Sequence, residues 1–132
     1  GVLRYVLQYS GLGDLIGNAV APANLPIVLV AFIVAALVRI CVGSATVAMT
    51  MAAGIIAAMP GISELPPLYL ACVVAAVAGG STVCSHFNDS GFWLVRSLVG
   101  VDEKTNLKTW TIMETLVGFS GFVVAFIISL FV

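Results

Sequence analysis

Apolar residues follow one another almost without interruption across residues 25–59. A helix crosses a membrane with about 20 apolar residues, so this run is too long for one ordinary crossing. The sequence RICVGSAT contains the plausible break, because Gly43 permits unusual backbone angles and the hydroxyl residues beside it can bond freed backbone groups. The pattern predicts two half-helices, 26–42 and 46–59, that together form one interrupted crossing.

A second run with the same organisation covers residues 67–95. Prolines in the connecting segment 60–66 end the first run, because proline cannot continue a helix. The apolar stretch 67–78 then leads into two glycines and a polar cluster before apolar sequence resumes at 91–95. We therefore predict a second interrupted crossing.

Three further segments complete the pattern. Residues 96–108 are the most charged stretch, which predicts an aqueous loop, and residues 109–132 carry only Glu114 as a charge and predict the last crossing. The loop contains three Lys or Arg residues and segment 60–66 contains none, so the positive-inside rule places the loop in the cytoplasm. Residues 1–24 have short apolar runs and predict an interfacial or re-entrant segment, or the end of an earlier element.

The amino-acid composition indicates the environment in which the chain folds. The mean hydropathy is +1.19, and only 8% of residues are charged, against about 25% in soluble domains. We predict an all-α integral membrane protein, and expect the chain to be part of a longer polytopic one. The net charge of −1 provides no basic surface for nucleic acid. The three cysteines are too widely spaced to indicate a disulfide framework or a metal site, and no cofactor is predicted.

The two predicted interruptions suggest a cavity. Non-helical backbone at membrane depth is stable only when it is buried in protein or faces water, and secondary transporters build their binding sites from such helices. The alternative is that small and hydroxyl residues simply pack helices together. The substrate-binding candidates are Arg39, Gly43, Ser44, Thr46, Ser81, Thr82, Ser85 and Asn88.

Charged and proton-exchanging side chains at membrane depth indicate what the predicted site could bind. A charge at the membrane centre costs at least about 2.5 kcal/mol, so Arg39 is expected to pair with Asp89 or Glu114, to reach the interface from a shallower depth, or to contact an anionic substrate. Histidine is the residue type best suited to proton exchange near neutral pH, so His86 is a candidate proton carrier, as are the two carboxyl groups. Ser85, His86 and Asp89 include the residue types of a hydrolase triad, but no G-x-S-x-G elbow is present. We predict that the protein is not an enzyme.

Four stretches carry a family resemblance. In order, they are RICVGSATVAMTMAAGI, ELPPLYL, GGSTVCSHFNDSGFWLV and LKTWTIMETLVGFSGF. They resemble the C-terminal part of the gluconate permease family. The resemblance implies a bacterial inner-membrane, multi-pass symporter that imports gluconate or a related sugar acid, hydroxy acid or D-serine with protons. It also implies a plan similar to the ion-transporter superfamily, with re-entrant hairpins and broken helices.

Carried over residue by residue, the resemblance covers several candidate positions. The matching positions are Arg39, Gly43, Ser44, Thr46, Ser85, His86, Asn88, Asp89, Trp110 and Glu114. The expected partners are a small organic anion, protons and membrane lipid, and a homo-oligomer is left open. The alternative function is a non-transporting membrane subunit in which these polar groups serve helix packing.

Overall fold

Helices make up the regular structure in the part of the chain described by a computed structural model, which is Gly11 and residues 25–132. The helices are α1 (Ile27–Val42), α2 (Ala45–Ala57), a 3-10 turn (Ile62–Glu64), α3 (Pro67–Thr82), α4 (Ser90–Val99), α5 (Glu103–Asn106) and α6 (Ile112–Ser129). A π-helical turn, Leu107–Thr111, joins α5 to α6, so that Glu103–Ser129 is one continuous helix. The segment predicted for residues 1–24 lies, Gly11 apart, outside the described residues.

Helices α1 and α2 form a hairpin. Gly43 ends α1 in the left-handed conformation with φ of 81°, and its N–H donates to the carbonyl of Arg39 at 2.8 Å. Ser44 then caps α2 by accepting a hydrogen bond from the N–H of Val47 at 3.4 Å. The chain reverses at this point, and α2 packs back along α1 and α3.

The hairpin differs from the single interrupted crossing predicted for residues 25–59. The end of α2, with Ile56 and Met59, joins the same apolar cluster as Val28 at the start of α1. An interruption does occur at Gly43, but a left-handed glycine also turns the chain, and the apolar side of α2 is buried by folding back. The direction of α2 is therefore set by packing.

Helix α3 lies at the centre of the described core, between the hairpin and α6. A Cβ on Gly80 would lie 2.3 Å from the carbonyl oxygen of Phe32, and a Cβ on Gly79 would lie 2.6 Å from that of Gly118. These glycines let both neighbouring helices approach the α3 backbone closely. Phe32 and Phe122 stack on one another beside these contacts, with ring centroids 4.2 Å apart.

The stretch 96–108, predicted as a loop, is mostly helical. Gly100 ends α4 with φ of 74°, and Asp102 caps α5 by accepting a hydrogen bond from the N–H of Thr105 at 3.3 Å. Arg96 at the end of α4 pairs with Glu103 at the start of α5, with nitrogen and oxygen 2.8 Å apart. The charges do lie where the two helices meet, but charged residues can form helix ends as readily as loops.

One helix in the described part of the chain, Glu103–Ser129, is long and apolar enough to cross a membrane, with a mean hydropathy of 2.0 over its most apolar window. Helices α1, α2 and α3 are apolar but shorter. The outward side of α6 carries large exposed apolar residues, including Leu116 at 63% and Val124 at 58% exposure. Such a surface is suited to lipid or to a further part of the protein.

Candidate functional site

The hairpin tip, residues 43–46, meets the joint, residues 83–89, that connects α3 to α4. A Cβ on Gly43 would lie 2.2 Å from the carbonyl oxygen of Asn88, so the two backbones are in direct contact. The side chain of Asn88 also donates to the carbonyl of Ile40 at 2.8 Å. The two places where helical structure stops are therefore packed against each other.

Arg39 lies beneath this contact and is only 2% exposed. Its Nη2 donates to Oδ2 of Asp89 at 2.6 Å and lies 3.5 Å from Oε2 of Glu114, while its Nη1 donates to the carbonyl of Gly43. Of the interpretations of Arg39, the structure contains the ion pair. When both carboxyl groups are ionised, this cluster of one cation and two anions carries a net charge of −1.

Asp89 is held on several sides. Its Oδ2 accepts from the hydroxyl of Ser85 as well as from Arg39, and its Oδ1 accepts from the N–H of Gly91 at 3.0 Å, which caps α4. The Ser85 hydroxyl in turn accepts from Nε1 of Trp110 at 3.1 Å. Ser85 is fully buried, so its role in the structure is to position Asp89.

The joint is attached to the helix that contains α6. The hydroxyl of Thr111 donates to the carbonyl of Ser85, and the N–H of Cys84 donates to the hydroxyl of Thr115 at 3.0 Å. Cys84 has φ of 58°, an uncommon value for a residue with a side chain. These bonds stabilise a backbone that cannot continue as a helix.

The hydrogen bond that the structure gives His86 is to the backbone of the joint. Its Nδ1 lies 2.8 Å from the carbonyl oxygen of Cys84, so Nδ1 donates and Nε2 of the neutral ring is an acceptor. Ser85 donates directly to Asp89. In a hydrolase triad the histidine lies between the serine and the aspartate. The arrangement seen here is different.

The remaining predicted site residues fall into two groups. Ser81 and Thr82 both donate their hydroxyl hydrogens to the carbonyl of Ala78, at 2.8 and 2.9 Å, and Ser81 is fully buried. Thr46 and Asn88 are exposed. The structure thus brings together Arg39, Gly43, Ser85, Asn88, Asp89 and Glu114. The hydroxyls of Ser81 and Thr82 instead remain bonded within α3.

Three polar residues near the site, Thr111, Thr115 and Asn106, were not predicted from the sequence. The two threonines lie four residues apart, as do Trp110 and Glu114, which places all of them along neighbouring rows of one helix. That spacing could have identified a polar face directed at the joint. Asn106 is 1% exposed and donates to the carbonyl of Phe92 at 2.8 Å, a contact that its sequence context does not reveal.

Comparison with known proteins identifies relatives along almost the whole chain. The chain is 45% identical to the low-affinity gluconate transporter of Escherichia coli K12 over 129 residues, which are 96% of this chain and 28% of that protein. It is 40% identical to the gluconate permease of Pseudomonas aeruginosa over 130 residues, 98% of this chain and 28% of the relative. It is 38% identical to the Gnt-II system L-idonate transporter of Escherichia coli K12 over 121 residues, 92% and 27% of the two chains.

The chain therefore spans less than a third of the length of these curated relatives. No solved structure matches it. The family described as "GntP family permease" matches residues 1–131. The resemblance found in the sequence is confirmed, and the chain belongs to the GntP permease family.

Proposed function

We propose that this chain forms the substrate-site region of an inner-membrane symporter that takes up gluconate or a related small organic anion with protons. The observation that supports this most directly is the contact between the hairpin tip and the joint around buried Arg39. Relatives named for gluconate and L-idonate support a hydroxylated carboxylate as the substrate.

In this proposal the hairpin is re-entrant, and α3, the joint and α4 together form one interrupted crossing. The continuous helix Glu103–Ser129 runs antiparallel to them as a full crossing, because Thr111 contacts Ser85 whereas Gly118 contacts Gly79 earlier in α3. The joint then lies at membrane depth, where irregular backbone needs protein or a cavity around it. The end of α4 and the start of α5 face the cytoplasm, in line with their basic residues.

Two helix N-termini would provide the anion site. Helix α2 begins at Ala45 in the tip and α4 begins at Ser90 after the joint, and Gly43 and Asn88 bring these ends together. The partial positive charge at helix N-termini favours anions. We assign the substrate carboxylate to this position near Arg39, and its hydroxyl groups to the half-buried side chain of Ser44 and the exposed side chains of Thr46 and Asn88.

A second candidate is a non-transporting subunit in which polar groups serve packing. The bonds of Ser81 and Thr82 to Ala78, and the contact of Gly79 with Gly118, favour packing for those residues. Helix packing alone does not require a buried arginine with two carboxylates, because buried ion pairs contribute little to stability. The ion cluster therefore favours the transport proposal.

The experiment that tests the function is uptake of labelled gluconate by the full-length permease in proteoliposomes. We expect an inward proton gradient to drive accumulation that a protonophore abolishes, and an equal sodium gradient to have no effect. Unlabelled L-idonate and D-serine added as competitors define the substrate range. Absence of uptake would contradict transport, and uptake that ignores the proton gradient would contradict proton coupling.

Cysteine labelling tests where the cavity lies. In a background whose native cysteines are replaced by alanine, we expect Ser44→Cys to react with a membrane-impermeant thiol reagent and to be protected by gluconate. Ser81→Cys is the matched control from the similar Gly-Ser sequence in α3, and should stay unlabelled because Ser81 is fully buried. Equal labelling of the two positions, or labelling at Ser44→Cys that gluconate does not change, would refute the proposed cavity.

A further inference from the structure

The two carboxylates around Arg39 are held very differently. Asp89 accepts hydrogen bonds from Arg39, from the Ser85 hydroxyl and from the N–H of Gly91. Glu114 lies 3.5 Å from Nη2 of Arg39, the limit of a hydrogen bond, and its other neighbouring donor is the Ser85 hydroxyl, which already donates to Asp89. Asp89 is thus enclosed by donors, whereas the two donors near Glu114, Arg39 and Ser85, are both already bonded to Asp89.

Charge balance makes this difference important. With both carboxylates ionised, the cluster has a net charge of −1, and an incoming organic anion would raise it to −2. Like charges repel strongly where water is excluded, and uncompensated buried charge is costly. One of the carboxylates therefore has to be neutralised when the anion approaches Arg39.

Resting on the proposed function, we propose that Glu114 is the group that takes up the coupled proton, and that Asp89 stays ionised as the permanent partner of Arg39. A proton from the aqueous side of the membrane binds to a carboxylate oxygen of Glu114. The contact between Glu114 and Nη2 of Arg39 is then broken. The substrate carboxylate occupies the position near the guanidinium. On the other side of the membrane the anion leaves, and the Glu114 O–H bond breaks to return the proton to water.

The surroundings of Glu114 support this assignment over the alternatives. The charged groups that face it are Arg39 from α1 and Asp89 from the joint. Neutralising Asp89 would remove the closest partner of a buried arginine and the cap of α4. Nδ1 of His86 is bonded to the carbonyl of Cys84 and not to a member of the cluster. The Glu114 side chain is 21% exposed, against 12% for Asp89.

The test compares Glu114→Gln with Asp89→Asn in the full-length permease in proteoliposomes. Two rates are measured for each: accumulation of labelled gluconate driven by a proton gradient, and exchange of labelled for unlabelled gluconate at equal pH on both sides. Gradients of one pH unit support accumulation of about tenfold when one proton accompanies each anion. We expect Glu114→Gln to lose this accumulation and the pH dependence of exchange while still exchanging gluconate, and Asp89→Asn to lose both activities.

A second measurement does not depend on transport. Gluconate added to the purified wild-type protein in weakly buffered solution should cause proton uptake, followed with a pH indicator, and Glu114→Gln should abolish it. Glu114→Asp keeps a carboxyl group and should restore both proton uptake and accumulation. This rescue separates loss of the titrating group from a general defect in folding.

Several outcomes would overturn the assignment. Accumulation by Glu114→Gln at the wild-type level would do so, and so would an Asp89→Asn variant that exchanges gluconate but no longer accumulates it. Failure of Glu114→Asp to restore proton uptake would also count against Glu114. A wild-type protein that shows no proton-driven accumulation would instead refute the proposed function, whatever the variants do.

Discussion

Asp89→Asn is expected to destabilise the full-length permease by about 3–5 kcal/mol, the typical effect of removing one partner of a buried ion pair. Arg39 is 2% exposed, and its Nη2 lies 2.6 Å from Oδ2 of Asp89. An amide in place of the carboxylate leaves the guanidinium charge without its close partner, and Glu114 at 3.5 Å is poorly placed to replace it. Thermal unfolding of the detergent-purified variant measures the effect.

The control is an ion pair of similar length but different burial. Arg96 and Glu103 lie 2.8 Å apart with side chains 35% and 44% exposed. Exposed pairs contribute about 0–1 kcal/mol, so Glu103→Gln should change the unfolding temperature little. A loss of stability in Asp89→Asn no larger than that in Glu103→Gln would contradict the view that Arg39 depends on Asp89 for its burial.

Gly43→Ala is expected to separate the hairpin tip from the joint, with loss of both stability and gluconate uptake. The added Cβ would lie 2.2 Å from the carbonyl oxygen of Asn88, which is backbone and has little freedom to move. The left-handed conformation at φ of 81° adds a cost of about 1–2 kcal/mol for any residue with a side chain. Thermal unfolding and labelled-gluconate uptake both report the change.

Gly61→Ala distinguishes the effect of backbone strain from the effect of the close contact with Asn88. Gly61 has φ of 78°, but a Cβ there meets nothing within 4 Å. This variant should therefore lose only the part of stability that comes from backbone strain, and should keep gluconate uptake. Equal losses in Gly61→Ala and Gly43→Ala would mean that strain alone explains the effect, and that the close contact with Asn88 has no separate importance.

The residues that meet around Arg39 were largely predictable from the sequence, because several of them break local rules. Arg39 is a charge in an apolar run, and the residues around Gly43 and Asn88 interrupt helical periodicity. The roles within the site were harder to predict. Ser81 and Ser85 look alike in sequence, yet one bonds to Ala78 in its own helix and the other to Asp89.

The ion-pair partner of Arg39 could not be predicted from the sequence either. Arg39 had Asp89, Glu114 and a substrate as alternatives, and the choice depends on the backbone between Val83 and Asp89. The bonds of Thr111 and Thr115 to the joint hold that backbone. They join residues 26 and 31 positions apart in the chain. No periodicity within one segment indicates contacts of this kind.

The sequence by itself determined that the described chain is helical, that its surroundings are apolar, that helical structure is interrupted near Gly43 and Asn88, and to which family the chain belongs. These properties depend on composition and on local hydrogen bonding, which neighbouring residues control. Only the tertiary structure decided that the chain reverses at Gly43, that the charged stretch after α4 continues as helix, and that Asp89 is the close partner of Arg39. Direction and pairing depend on which distant surfaces pack together, and long-range burial determines that choice.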